Sequence, residues 1–380
     1  MVLGGLKVID FSWSVPGPYC SLYLADMGAN VVRIESAVQP EIFRNLAPMD
    51  GKSSYCHRYL NRNKDCIAVD LRNEEDATIV RNMLREADIL IEQFRPGVME
   101  RLGFGYEALR ALNPALIYCS ISGYGQSGTY SQRAGHDINY FALSGVAASQ
   151  MRPAVPPMPL SYVVADVAGG GLHGVIGIMM ALRHRDQTGE GQHVDVSMTD
   201  AVWAMNAVAG PAALDGNEDE NDAIAMLNGS SVYNYYETKD GRFLAVGSIE
   251  EKFRWGLCEA LGREDLEALA LQSEDHRPFC QALKEIFYTE DLIYWQALFR
   301  KYDVCVEPVL SIAEAASHEH FVTRGSVVDV PFGGDMRKQF SHPIRYSAIK
   351  PDYRHAGKDQ GSDTEAYKRK YSDGPERAKD

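Results

Sequence analysis

Through the N-terminal part of the chain, short apolar runs rich in Val and Ile alternate with longer stretches of helical periodicity. The runs at 7–11, 31–34, 66–69, 89–91 and 116–121 read as strands. Residues 19–27 read as a helix stopped by Gly28, and 74–86 as a second helix. The last of these strands lies between Asn113-Pro114 and Gly123, both of which break regular structure. Repeated strand–helix–strand units predict a parallel sheet with helices on its faces, and right-handed crossovers make it Rossmann-like. No Gly-x-Gly-x-x-Gly follows the first strand, so a nicotinamide cofactor is not indicated.

Further on the pattern changes. Residues 147–160 are rich in Pro, Met and Ala and read as a loop. A long apolar helix follows over 167–185, then a short strand at 193–196 and a helix over 199–208. The polar run 215–221 reads as a charged linker and domain boundary. Beyond it, 236–247 has the form of a hairpin turning at Asp240-Gly241. Helical segments are predicted at 252–261, 279–287 and 292–301, giving a smaller α+β domain. From Tyr353 the chain is charged and poor in apolar residues, which predicts a loosely held tail.

Composition narrows the class. A length of 380 residues suggests about two domains, and 45% hydrophobic with 24% charged residues is ordinary globular usage. No unbroken apolar stretch reaches membrane-spanning length, so no membrane partner is expected. The N-terminus lacks a basic region followed by an apolar core, and the seven cysteines form no Cys-x-x-Cys pair; both point to a cytoplasmic, reduced protein. The net charge of −14 argues against nucleic acid. An anionic ligand must then be held by local arginines and helix N-termini.

Candidate chemistry sits in four places. His136 and Asp137 are adjacent, after Gly135 and before a predicted helix; taken alone, they read most simply as a helix start. Asp166 ends an apolar run and is followed by Gly169, Gly170 and Gly171, which weaken a helix and admit a close neighbour or ligand. Glu250 and Glu251 follow a strand and open a helix, an ordinary position for acids. Arg95 and Arg101 flank a strand-to-helix junction suited to phosphate. His318 and His320 lack a third metal ligand nearby, and Ser131, Ser144 and Ser161 lack a Gly-x-Ser-x-Gly elbow, so neither a metal site nor a hydrolase triad is expected.

These signals fall into one pattern. Leu-Lys-Val-Ile-Asp-Phe (6–11), Val-Val-Arg-Ile-Glu (31–35), Asn-Arg-Asn-Lys-Asp (61–65), Arg-Pro-Gly-Val-Met-Glu-Arg-Leu-Gly (95–103), Gly-His-Asp-Ile-Asn-Tyr (135–140), Ala-Asp-Val-Ala-Gly-Gly-Gly (165–171) and Val-Gly-Ser-Ile-Glu (246–250) recur in order. The chain resembles the family III CoA-transferases and, within that superfamily, the α-methylacyl-CoA racemases. The resemblance implies a Rossmann-like large domain, 1–214 with 326–380 returning to it, a small α+β domain at 222–325, and an interlocked homodimer. It implies His136 and Asp166 as the two acid–base groups, with Glu250 hydrogen-bonding and orienting His136. CoA, as part of the substrate and not a separate cofactor, is expected against Val69, Asp70, Leu71, Arg72, Gln93, Phe94, Arg95, Arg101, Gly135, Asp137, Ile138, Asn139 and Tyr140. Relatives often carry a basic residue where this chain has Ser36, and Arg33 is the expected substitute at the adenine end.

The implied reaction is epimerisation at C2 of a 2-methylacyl-CoA thioester. One base serves each face, and backbone amides at the start of the Asp166 helix are expected to stabilise the enolate. The Met- and Pro-containing segment 147–160 offers an apolar surface for the acyl group. In the transferase branch the matching aspartate is instead a nucleophile that passes CoA between carboxylic acids, and this stands as the alternative. A non-catalytic acyl-CoA-binding protein is the third reading.

Overall fold

Six strands form one parallel sheet: β1 (Lys7–Asp10), β2 (Asn30–Ser36), β3 (Lys64–Val69), β4 (Ile89–Glu92), β5 (Ile117–Ser122) and β6 (His193–Ser197). The computed structural model describes residues 1–152, 155–217, 220–271 and 275–372. Strand order across the sheet is β3-β2-β1-β4-β5-β6, the doubly wound order of the Rossmann fold. Every residue of β4 and β5 is buried, as expected where helices cover both faces and strands read as continuous apolar runs. The predicted strands fall within one or two residues of the observed ones.

The helices follow local signals. Pro16 opens the helix Pro16–Asp26 at its first turn, where the missing amide costs nothing. Asn73 caps Glu74–Leu84 by accepting from the amides of Glu75 and Asp76, with three acids in the first turn. The long apolar segment begins as a π-helical stretch, Ala165–Leu172, and continues as the α-helix His173–Thr188 until Gly189 at φ 78°. Against expectation, this span is long and apolar enough by length and composition to cross a membrane. Its glycines explain its place. An added Cβ on Gly170 would lie 2.6 Å from Cβ of Pro16, one on Gly171 2.9 Å from Cδ1 of Tyr19, and one on Gly174 2.9 Å from Cδ1 of Ile121. The helix therefore packs its glycine face directly on the helix Pro16–Asp26 and on β5, as a core element does.

The chain divides into two units, and the boundaries differ from those expected. One comprises residues 1–144, 159–205 and 319–380; the other comprises 145–158 and 206–318. Residues 145–158 thus leave the large domain, because Arg152 donates to the Gly229 carbonyl at 3.3 Å and Asn228 donates to that of Met151 at 3.2 Å. Within the expected linker 215–221, residues 218 and 219 lie outside those described, and a helix Glu220–Leu227 has already begun. In the second unit the hairpin is present as Asn234–Glu237 and Phe243–Val246, with Gly241 at φ 71°, joined by an unforeseen third strand, Val306–Pro308. Phe279, Leu283, Phe287, Trp295 and Phe299 fill its core.

Two expectations are overturned in the first unit. The tail is held over its described length. The amide of Gly357 donates to the Arg58 carbonyl, Lys358 bridges Asp65 and Asp363 at 2.7 and 2.9 Å, and Tyr367 donates to Asp65. A segment poor in apolar residues is anchored by polar bonds, which hydrophobic periodicity does not register. Arg33 is likewise no ligand contact. It is 1% exposed, and its guanidinium is shared among Glu35 (3.0 Å), Asn61 (3.0 Å) and Glu41 (2.5 Å). Arg44 pairs with Glu35 at 2.6 Å and His57 lies 3.3 Å from it. Burial alone would push the Glu35 carboxyl up, but His57, Arg33 and Arg44 hold it well below the usual range. Donor atoms of Glu35, Glu41 and His57 lie within 4.8 Å of one another, yet the two arginines already supply the cations.

Candidate active site

In an open parallel sheet, ligands bind beyond the carboxyl ends of the strands, at the point where strand order reverses. Here that point lies between β1 and β4. Gln93 directly follows β4, and its side chain accepts the Gly17 amide at 3.0 Å, joining the loop that leaves β4 to the first turn of the helix that follows β1. Phe94 packs against Trp13 with ring centroids 6.0 Å apart. Arg95 reaches the Gln132 carbonyl at 3.5 Å, and Arg101 ends the short helix Val98–Arg101. Val69 closes β3, buried; Leu71 packs on the core beneath, and Arg72 pairs with Asp70 on the surface at 3.0 Å. The segment containing His136 follows β5. Residues scattered from 69 to 140 in sequence are thus gathered by the sheet at the carboxyl ends of three strands.

The Gly135–Tyr140 segment is built with little slack. The helix Asp137–Leu143 starts immediately after His136, which sits exposed at its N-cap, and the His136 amide donates to Oδ1 of Asn139 at 3.0 Å. Tyr140 is 6% exposed, and its hydroxyl donates to the Gly135 carbonyl at 2.6 Å. Burial pushes that phenol up to about 12, which keeps it a donor. Tyr140 therefore supports the loop from inside, and the expectation that it touches CoA is corrected. Ile138 is 56% exposed and open to a ligand.

Asp137 also has a different place from the one expected. Its Oδ1 accepts the backbone amide of Asp166 at 2.9 Å, tying the His136 turn to the π-helical stretch that carries the second carboxyl. The Asp166 amide is therefore spent, and that of Val167 donates to the Val163 carbonyl at 3.0 Å. Those two amides are not free to stabilise an enolate, contrary to expectation. Burial, and then the charge of Asp137, raise the Asp166 carboxyl from 3.8 to about 7. A half-buried carboxyl poised near neutrality is able to exchange a proton with a bound ligand.

A sequence model of CoA-transferase family III matches residues 3–364. The chain belongs to that family. It is 37% identical over 330 residues to the α-methylacyl-CoA racemase of Mus musculus, covering 86% of this chain and 83% of the relative. It is 30% identical over 367 residues to the acetyl-CoA:oxalate CoA-transferase of Acetobacter aceti, covering 93% and 91%. A crystal structure of a CAIB/BAIF family protein from Brucella suis superposes with a TM-score of 0.84 at 27% identity, covering 97% of this chain and 99% of that one.

The third expected catalytic group of this family III chain, Glu250, lies in the second unit. It is exposed at the N-cap of the helix Glu251–Ala260. The same unit contains a cavity of about 600 Å³ lined by Val155, Pro156, Met158, Leu227, Tyr233 and Tyr235 among others, so part of the 147–160 segment does form an apolar wall. The resemblance assigned Asp137 and Tyr140 to CoA by motif. The bonds that give them other tasks, to Asp166 and to Gly135, leave no mark in a periodicity or a motif.

Proposed function

We propose that the protein epimerises 2-methylacyl-CoA thioesters at C2, with His136 and Asp166 each moving a proton on one face of the α-carbon. The observation that carries this reading is the Asp166 carboxyl, raised to about 7, on a residue whose backbone amide is held by Asp137, the neighbour of His136. A carboxyl that exchanges its proton near neutral pH is suited to accept from carbon in one direction and donate in the other. A carboxyl protonated over much of that range is a weaker nucleophile, which disfavours the aspartyl intermediate of CoA transfer. The 30% identity to an oxalate CoA-transferase keeps that second reading in view.

In this reading CoA lies along Gln93, Arg95 and Arg101, and the two arginines offset the net charge of −14. The enolate oxygen would be met by donors other than the amides of Asp166 and Val167. The protein would act as a homodimer in the cytoplasm; the exposure of Ile176 (49%), Met180 (69%) and Trp203 (52%) supports a self-association face.

The deciding experiment is incubation of one C2 epimer of a 2-methylacyl-CoA in D₂O without an acceptor acid. Deuterium at C2 and appearance of the other epimer are expected, with His136→Ala slowing epimerisation about 10²–10⁴-fold. CoA transfer to an added acid without C2 exchange, together with hydroxylamine trapping of an acyl group on Asp166, would replace this reading by the transferase one.

A further inference from the structure

We propose that Tyr140 is a positioning residue for His136, acting through the Gly135 carbonyl; this rests on the two-base reading above. The argument starts from how little backbone structure precedes His136. The helix Asp137–Leu143 is only two turns long, so the loop entering it gains little rigidity from the helix itself. Two side chains from that helix reach back to fix the loop. Asn139 accepts the His136 amide at 3.0 Å, and Tyr140 donates to the Gly135 carbonyl at 2.6 Å.

The tyrosine ring occupies the space that side chains would otherwise need. A Cβ on Gly135 would stand 2.6 Å from Cε1 of Tyr140, and one on Gly123, just after β5, would stand 2.4 Å from the same atom. Tyr124 crosses the Tyr140 ring edge-on with centroids 5.1 Å apart, and its hydroxyl would lie 2.9 Å from the Gly135 Cβ. The ring is thus wedged between the end of the sheet strand and the peptide before His136. It transfers the position of β5 to the imidazole's own backbone. Glycine at 123 and 135 is required by this wedge. Asp166 is fixed by a separate bond, from its amide to Asp137. The Tyr140 hydroxyl bonds to the Gly135 carbonyl and is not a partner in the bond between Asp137 and the Asp166 amide.

That separation gives a readout that a merely structural role would not produce. In D₂O, C2 exchange from one epimer begins with His136 as base and from the other with Asp166. Tyr140→Phe keeps the ring and removes only the hydroxyl, leaving the Gly135 carbonyl without its donor. We expect exchange from one epimer to fall about tenfold while exchange from the other stays within twofold, with CoA affinity by calorimetry unchanged. Gly135→Ala, which displaces the ring instead, is expected to bias the same epimer. Equal losses for both epimers, no loss in either variant, or weakened CoA binding with an unchanged ratio would each overturn the proposal. If the unmodified protein exchanges neither epimer, the two-base reading itself falls and this inference with it. That outcome is distinct from exchange that proceeds without the bias.

Discussion

Replacing Asp166 with Asn should make the first unit more stable at neutral and alkaline pH and leave it unchanged in acid. In the folded chain this carboxyl titrates near 7 and in the unfolded chain near 3.8, first because of burial and second because of Asp137. Between those values the native state binds the extra proton, so wild-type stability falls as pH rises through that window. Below about 4 both states are protonated and no penalty exists; above about 7 the penalty is complete. A rise of this size corresponds to roughly 4 kcal/mol at about 1.4 kcal/mol per pKa unit. Because the group is only half-buried, solvent screening should reduce it to about 2 kcal/mol. Asparagine keeps the shape and carries no charge, so it removes the penalty at every pH. Urea denaturation of both proteins at several pH values between 4 and 9 measures it, as a stability difference near zero in acid that grows to a plateau above neutrality. A difference independent of pH, or a wild type that gains on the variant as pH rises, would refute the reasoning. It would also remove the main support for Asp166 as a proton-transfer group.

Arg62→Met should lower stability by about 3–5 kcal/mol in the same denaturation assay, because it strands Asp26, with which Arg62 pairs at 2.5 Å with both side chains 1% exposed. A change within 1 kcal/mol would mean the site repacks or admits water. Reversing charge at Arg95 and Arg101 together should abolish measurable CoA binding by calorimetry while the far-UV circular dichroism stays the same. Unchanged affinity would move the nucleotide end of CoA away from the β4 loop.

The parts of the molecule legible in the sequence are those fixed by interactions between near neighbours. Strands such as Ile117–Ser122 were visible because a strand covered on both faces must be apolar throughout, whatever covers it. The hairpin was visible because Asp240-Gly241 supplies the turn geometry that joins its two strands. Given the resemblance, His136, Asp166 and the arginines after β4 could be named as candidates, since the motif fixes residue type and spacing.

What each side chain faces was decided by the tertiary structure. Arg33 was expected to substitute for the basic residue that relatives carry where this chain has Ser36, but folding brings Glu41 and Asn61 against it and leaves it 1% exposed. Residues 353–372 looked loose because their anchors, Arg58, Asp65 and Cys66, lie 297 to 302 positions earlier in the chain. The charge state of Asp166 depends on Asp137, 29 positions away, and on burial under elements contributed by other parts of the chain. Periodicity and spacing report interactions along the backbone over a few residues. Desolvation and hydrogen bonding act through space, and only the folded sheet and its packed helices set those distances.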